Sequence, residues 1–175
     1  MSLAAFADEP ILLNLYHYWK RKRGARRMPA RKDIDPSELT ASVLPYLALA
    51  EFVDGGTRVR LRLAGAELER AFGRSLTGVA LEDIMSGEYL EFINGLFHDV
   101  WQHKAPIYSE SIFRWDRENL RRPRRLYMPL GDDDVRMVLI GQTVSGPNMK
   151  SCEPVAGQLG PLGSITEIVR EIVLD

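Results

Sequence analysis

The sequence predicts one α+β domain: a five-stranded antiparallel sheet with helices on one face, flanked by a further helix at each end. Two segments after Tyr46 and three after Pro106 have strand character, and the stretch between them holds the strongest helical pattern in the chain. Strand pairs joined by tight turns, with one long helical crossover, need no left-handed connection, which selects this order. With 175 residues, 45% of them apolar, the chain can bury one substantial core.

Residues 1–45 read as a helical cap followed by an ordered loop. Asp8 is placed to cap a helix, Pro10 is tolerated in a first turn, and Ile11, Leu12, Leu15, Tyr16 and Trp19 recur at helical spacing before a basic C-terminal end. The expected helix runs from Glu9 to Lys22. Gly24 to Pro36 is a loop, and Asp35 caps a short helical pattern from Ser37 to Leu44.

Residues 46–144 form the expected core. Tyr46 to Val53 and Arg58 to Leu63 make a hairpin around Asp54, Gly55 and Gly56, with Val59, Leu61 and Leu63 on one side and Arg58, Arg60 and Arg62 on the other. Ala64 to Ser86 holds short helical patterns broken by glycines. From Glu88 to Lys104 an apolar stripe of Tyr89, Phe92, Ile93, Leu96, Phe97, Val100 and Trp101 predicts a long helix, which Pro106 ends. Strands follow at Ile107 to Trp115, Arg124 to Leu130 and Val135 to Val144. Val135 to Ile140 is apolar at nearly every position, as in a central strand buried on both faces, so the N-terminal helix, a second subunit or both must cover the outer face.

Residues 145–175 read as a Gly-, Pro- and Ser-containing linker and a short amphipathic helix. Ser164 and Glu167 are spaced as a capping box, and Ile165, Ile168, Val169, Ile172 and Val173 fall on one helical face.

Charge narrows the function classes. Lys plus Arg number 23 against 24 for Asp plus Glu, so any electrostatic role must be local. Lys20 to Lys32 contains eight cations and no acid, and Arg121 to Arg125 adds a second basic knot; both are read as solvated surface rather than as a nucleic-acid site, because no aromatic residues interleave with them. Arg31 is expected to be tied by Asp33 or Asp35. No apolar run approaches the roughly 20 residues of a membrane span, and the N-terminus lacks the pattern of a signal peptide, so a cytoplasmic location is expected. Cys152 is the one cysteine, and His17, His98 and His103 are scattered without partners at ligand spacing, so no metal site is predicted. No phosphate loop, dinucleotide fingerprint or nucleophile elbow occurs, and no catalytic residue is assigned; Glu110 or His103 would be the base of any enzyme lacking a familiar motif.

Tyr18 to Gly24, Met28 to Arg31, Asp33 to Pro36, Arg62 to Gly65 and Leu76 to Gly78, in this order of elements, resemble the PAS domain superfamily, and more narrowly its single-domain alphaproteobacterial members. Pro29, Arg31, Asp33 and Asp35 carry the most specific part of the resemblance. It implies a curved five-stranded sheet, a pocket between sheet and helices, dimerisation through an N-terminal helix, and a role in signalling. Since neither flank has room for an output domain, the output is expected to act in trans, through a protein partner.

The pocket, if open, is expected to be lined by Phe92, Leu96, Phe97, Trp101, His103, Phe113, Trp115, Tyr127 and Met128. Haem-binding relatives take their axial ligand from the long helix, where only His103 sits at the edge of the apolar stripe. Light-sensing relatives need a cysteine on a mid-domain helix, and Cys152 lies in the tail. Haem and flavin are therefore both disfavoured, and no cofactor is specified. Leu15, Tyr16 and Trp19 at one end and Ile168, Val169 and Ile172 at the other are the expected docking residues, for the sheet, a second copy or a partner, because helices this short are not stable undocked.

Overall fold

A computed structural model describes residues 3–114, 120–145 and 164–173. Helix α1 (Pro10–Arg23) starts with Pro10 in its first turn, where the missing N–H would have had no partner, and ends in four consecutive cations that complement the helix dipole. Its N-cap is Glu9, with no side-chain cap; the Asp8 carboxylate is instead 3.0 Å from an Arg124 amino nitrogen. The chain then passes through single helical turns at Arg31–Asp33, Pro36–Glu38 and Leu44–Tyr46. The continuous helical pattern from Ser37 to Leu44 is thus divided. Asp35 does cap the middle turn, accepting from the Ser37 amide at 2.9 Å.

Strands β1 (Leu47–Val53) and β2 (Arg58–Ala64) form the hairpin, followed by α2 (Ala66–Phe72), a single turn at Leu81–Asp83 and α3 (Gly87–His103). Strands β3 (Ile107–Arg114), β4 (Leu120–Gly131) and β5 (Val135–Ser145) come next, and β6 (Ser164–Ile172) closes the described chain. The sheet is antiparallel throughout, in the order β2-β1-β5-β4-β3-β6. The α+β class and antiparallel sheet agree with the sequence, with one strand more than expected.

That extra strand corrects the C-terminal helix. Ile165, Thr166, Ile168, Val169 and Ile172 are β-branched, and the free edge of β3 offers them a ladder. A bulge opposite Glu110 and Ser111 leaves Ile168 unpaired and 41% exposed. Ile165 and Ile172 face one side of the sheet and Val169 the other, so a two-sided, bulged strand reproduces the three- and four-residue spacing of a helix. The same device corrects Leu63: the register shift between Leu49 and Ala50 makes Arg62 an extra residue, and Leu63 turns outward to 36% exposure while Val59 and Leu61 stay buried.

Alternation fixes which helix covers which face. Leu126 and Tyr127 point to opposite sides of β4. On the Leu126 side, α1 packs on β4 and β5, and a Cβ at Gly141 would meet the Leu12 and Leu15 methyls at 2.9 and 2.8 Å. On the Tyr127 side, α3 packs across β3, β4, β5 and β6. Between β2 and α2, Gly65 is equally constrained, since a Cβ there would lie 2.4 Å from the Leu44 and Pro45 carbonyl oxygens.

Candidate ligand cavity and its polar wall

The Tyr127 side of the sheet is covered by three unlike pieces, and they do not close completely. Ala48 and Leu61 form the floor with Tyr127, Ile140 and Gln142; α2 contributes Leu68 and Phe72; the connection contributes Leu76, Leu81, Ile84 and Met85; and α3 contributes Tyr89, Ile93 and Phe97. Together they enclose a cavity of about 50 Å³. A helix of seven residues and a string of turns cannot fill the groove as a long helix would. Glu69 pins this cover: its carboxylate accepts from the Ser75 hydroxyl and the Leu76 amide, each at 2.9 Å, and these bonds lower its pKa.

One wall of the cavity is polar. Tyr89 and Gln142 both reach the void, and behind them lies Arg125, 0% exposed, on the same face as Tyr127. Its guanidinium donates to Gln142 Oε1 at 3.2 Å, to Ser111 Oγ at 2.9 Å and to the Tyr89 hydroxyl oxygen at 3.0 Å. Ser109, its cross-strand neighbour on β3, is fully buried with a hydroxyl that has no hydrogen-bond partner. Burial pushes the Tyr127 phenol well above its ordinary pKa, so it remains neutral.

Of the expected lining residues, Phe97 and Tyr127 reach this cavity, packed edge to face with centroids 5.1 Å apart. Phe113 lies one layer behind, 4.7 Å from the Tyr89 ring. Phe92 lies beneath the guanidiniums of Arg125 and Arg170, at 5.7 and 5.1 Å. Leu96 is buried without lining the cavity. Met128 is buried on the α1 side, since its parity opposes that of Tyr127. His103 is exposed, its helical position carrying it past the end of the cover. Trp101 is 39% exposed, packs edge to face with Phe52 at 4.7 Å between centroids and borders a separate open groove with Gly56, Asp134 and Arg136. Trp115 and Cys152 lie outside the described residues.

Leu15, Tyr16 and Trp19 are buried against the chain's own sheet. Val169 and Ile172 pack on the core from β6, leaving Ile168 exposed. The Pro29–Asp35 segment is a local clasp: the Pro29 carbonyl accepts from Gly131 at 3.0 Å, and Asp33 accepts from the Ala30 amide at 2.9 Å. Arg31 is not held by Asp33 or Asp35; it donates to the Ile34 carbonyl at 3.0 Å, while Asp33 pairs with Arg26 at 2.7 Å. Much of the basic run has such local duties. Lys22 pairs with Glu38, Arg27 donates to the His103 carbonyl, and Arg23 lies over Trp19.

Glu110 belongs to the other face. It binds Arg122, lies 3.6 Å from Arg124 and accepts from Tyr108 at 3.2 Å, in a cluster that extends through Arg124 to Asp8 and Glu9. Apart from Phe97 and Tyr127, the residues that line the cavity are not among those the sequence pattern singles out for a pocket, and neither are Arg125, Ser109 and Ser111 of the polar wall. Arg125 was hidden in the basic knot, although its parity with Tyr127 places it on the cavity face.

Among the described residues no helix is long and apolar enough to cross a membrane, and no group of His, Cys, Asp and Glu is placed to hold a metal ion. Neither a curated protein nor a solved structure matches the chain. A family model described as PAS domain matches residues 7–141, which include α1, the Pro29–Asp35 clasp and the sheet through most of β5. That span covers the elements that build and cover the cavity, and the chain belongs to the PAS domain family.

Proposed function

We propose that this sensory and signalling type of domain works by admitting a small ligand to the cavity beneath α2 and α3, and that occupancy changes how the domain docks on a protein partner acting in trans. The observation that carries the reading is the difference between the two sheet faces. On one, α1 fills the space, with Leu12 and Leu15 seated over Gly141. On the other, a short helix and turns leave an apolar void with one polar wall. A cover made of short pieces is the part of a fold that a ligand can reorder at least cost.

Family membership supports the sensory role. The void of about 50 Å³ has room for a molecule of a few heavy atoms, so a flavin or haem would need the cover rebuilt. A second copy would find the apolar side of α1 already occupied by the sheet, so self-association would use another surface, such as the Trp101 and Phe52 groove.

Methyl-resolved NMR tests the reading, using 1-propanol, propionamide and propionate as probes. The expected result is saturable shifts of the Leu61, Leu76 and Ile84 methyls with at least one probe, and none at Leu12 or Leu15. Silence of the cavity methyls with all three would refute it.

A further inference from the structure

The bonding of Arg125 deepens this reading, on which the following inference rests. A guanidinium has five N–H donors. Three bonds, to Gln142, Ser111 and Tyr89, leave two N–H groups without acceptors, and all three acceptors are neutral. Among the described residues no carboxylate stands within ion-pair distance of Arg125. The face of Phe92, at 5.7 Å, offsets part of the cost of burying the charge. A cation held out of water by neutral groups is strongly stabilised by any anion brought beside it.

These bonds also decide what the wall presents to the void. The Tyr89 oxygen and the Gln142 carbonyl both accept from Arg125, so each residue turns its donor to other partners: the Tyr89 hydroxyl proton and the Gln142 amide N–H groups. Ser109, which pairs with Arg125 in the β3–β4 register, adds a buried hydroxyl that has no hydrogen-bond partner. Donors backed by a positive charge thus border a void lined otherwise by apolar groups, Leu61 of the floor and Leu76 and Ile84 of the cover among them.

We propose that the cavity is a site for a short-chain carboxylate, whose oxygens accept from Tyr89 and Gln142 in front of Arg125 while its alkyl group lies on Leu61, Leu76 and Ile84. The volume of about 50 Å³ sets the size. At one water per roughly 10–15 Å³ of such space, it holds about three to five heavy atoms, an acid of about one to three carbons.

The test compares propionate with its neutral isostere propionamide at pH 7, following the Leu61 and Ile84 methyls in the wild type and in Tyr89→Phe and Arg125→Lys. Propionate is expected to bind about tenfold more tightly than propionamide, in keeping with a charge-assisted site. Each substitution should weaken propionate about fivefold or more and leave propionamide within about twofold. Equal affinity for the two probes overturns anion recognition and leaves the sensory cavity standing. Silence with both probes overturns the anion site, and silence with 1-propanol as well removes the cavity reading too. Should Arg125→Lys lose its native methyl dispersion, Tyr89→Phe decides: an unchanged preference for propionate there overturns the proposal.

Discussion

The indole N–H of Trp19 donates to the Pro129 carbonyl across 2.8 Å of buried space, joining the end of α1 to the middle of the sheet. Pro129 is tolerated inside β4 because β3 pairs with β4 only as far as Tyr127, so beyond that point β4 has a neighbour on its β5 side alone. Trp19 supplies the donor that a further strand would have supplied. Trp19→Phe is expected to destabilise the fold by about 2–4 kcal/mol, from the orphaned carbonyl and the lost ring volume. The urea midpoint measures it.

Gly141 marks where α1 comes closest to the sheet. Gly141→Ala brings a methyl within 2.9 Å of Leu12 and Leu15, which are themselves fully buried. Those leucine methyls can shift a little, so the expected cost is about 1–3 kcal/mol. Gly141→Val is expected to lift α1, seen as faster amide exchange across Pro10–Arg23 with the β1–β2 hairpin unaffected.

The cover over the cavity is acid-sensitive through Glu69. Its pKa is held below the ordinary 4.5 by the Leu76 amide and the Ser75 hydroxyl. A carboxylate depressed on folding contributes stability above its unfolded pKa and loses it as pH falls through the folded one. Asp8 and Asp33, lowered chiefly by Arg124 and Arg26, act in the same direction. Thermal stability should therefore fall below about pH 4.5. Glu69→Gln should be less stable at pH 7 and show a shallower decline, and an unchanged acid limb would count against this role for Glu69.

Strand β6 separates two neighbouring residues sharply. Ile168→Lys should change stability by less than about 0.5 kcal/mol, since the bulge leaves it in solvent. Val169→Asp sets a second carboxylate opposite buried Glu110 and should release the strand, read as lost amide protection from Ser164 to Ile172.

Where sequence and structure agree, a single periodicity was at work. The stripe from Tyr89 to Val100 lies on one helical face, and it is the buried face of α3. Val138 to Ile140 lies between β1 and β4 and is buried on both sides, while Arg136, before β1 begins to pair, stays exposed. Where they part, a bulge intervenes: Arg62 turns Leu63 outward, and Ile168 gives β6 the spacing of a helix. The cavity was only half legible. Phe97 and Tyr127 follow from pattern, whereas the void depends on how α2 and the turns fall short of filling the groove, and the role of Arg125 depends on parity within a basic cluster.

Filling the void tests the central claim most directly. Ala48 sits on the cavity floor opposite Ile140, where Ala48→Val adds two methyl groups with a strand-compatible side chain. The sensory reading predicts a fold more stable by about 0.5–2 kcal/mol and loss of the Leu61 and Ile84 methyl responses to propionate and 1-propanol. Wild-type responses in Ala48→Val would place binding elsewhere and contradict it.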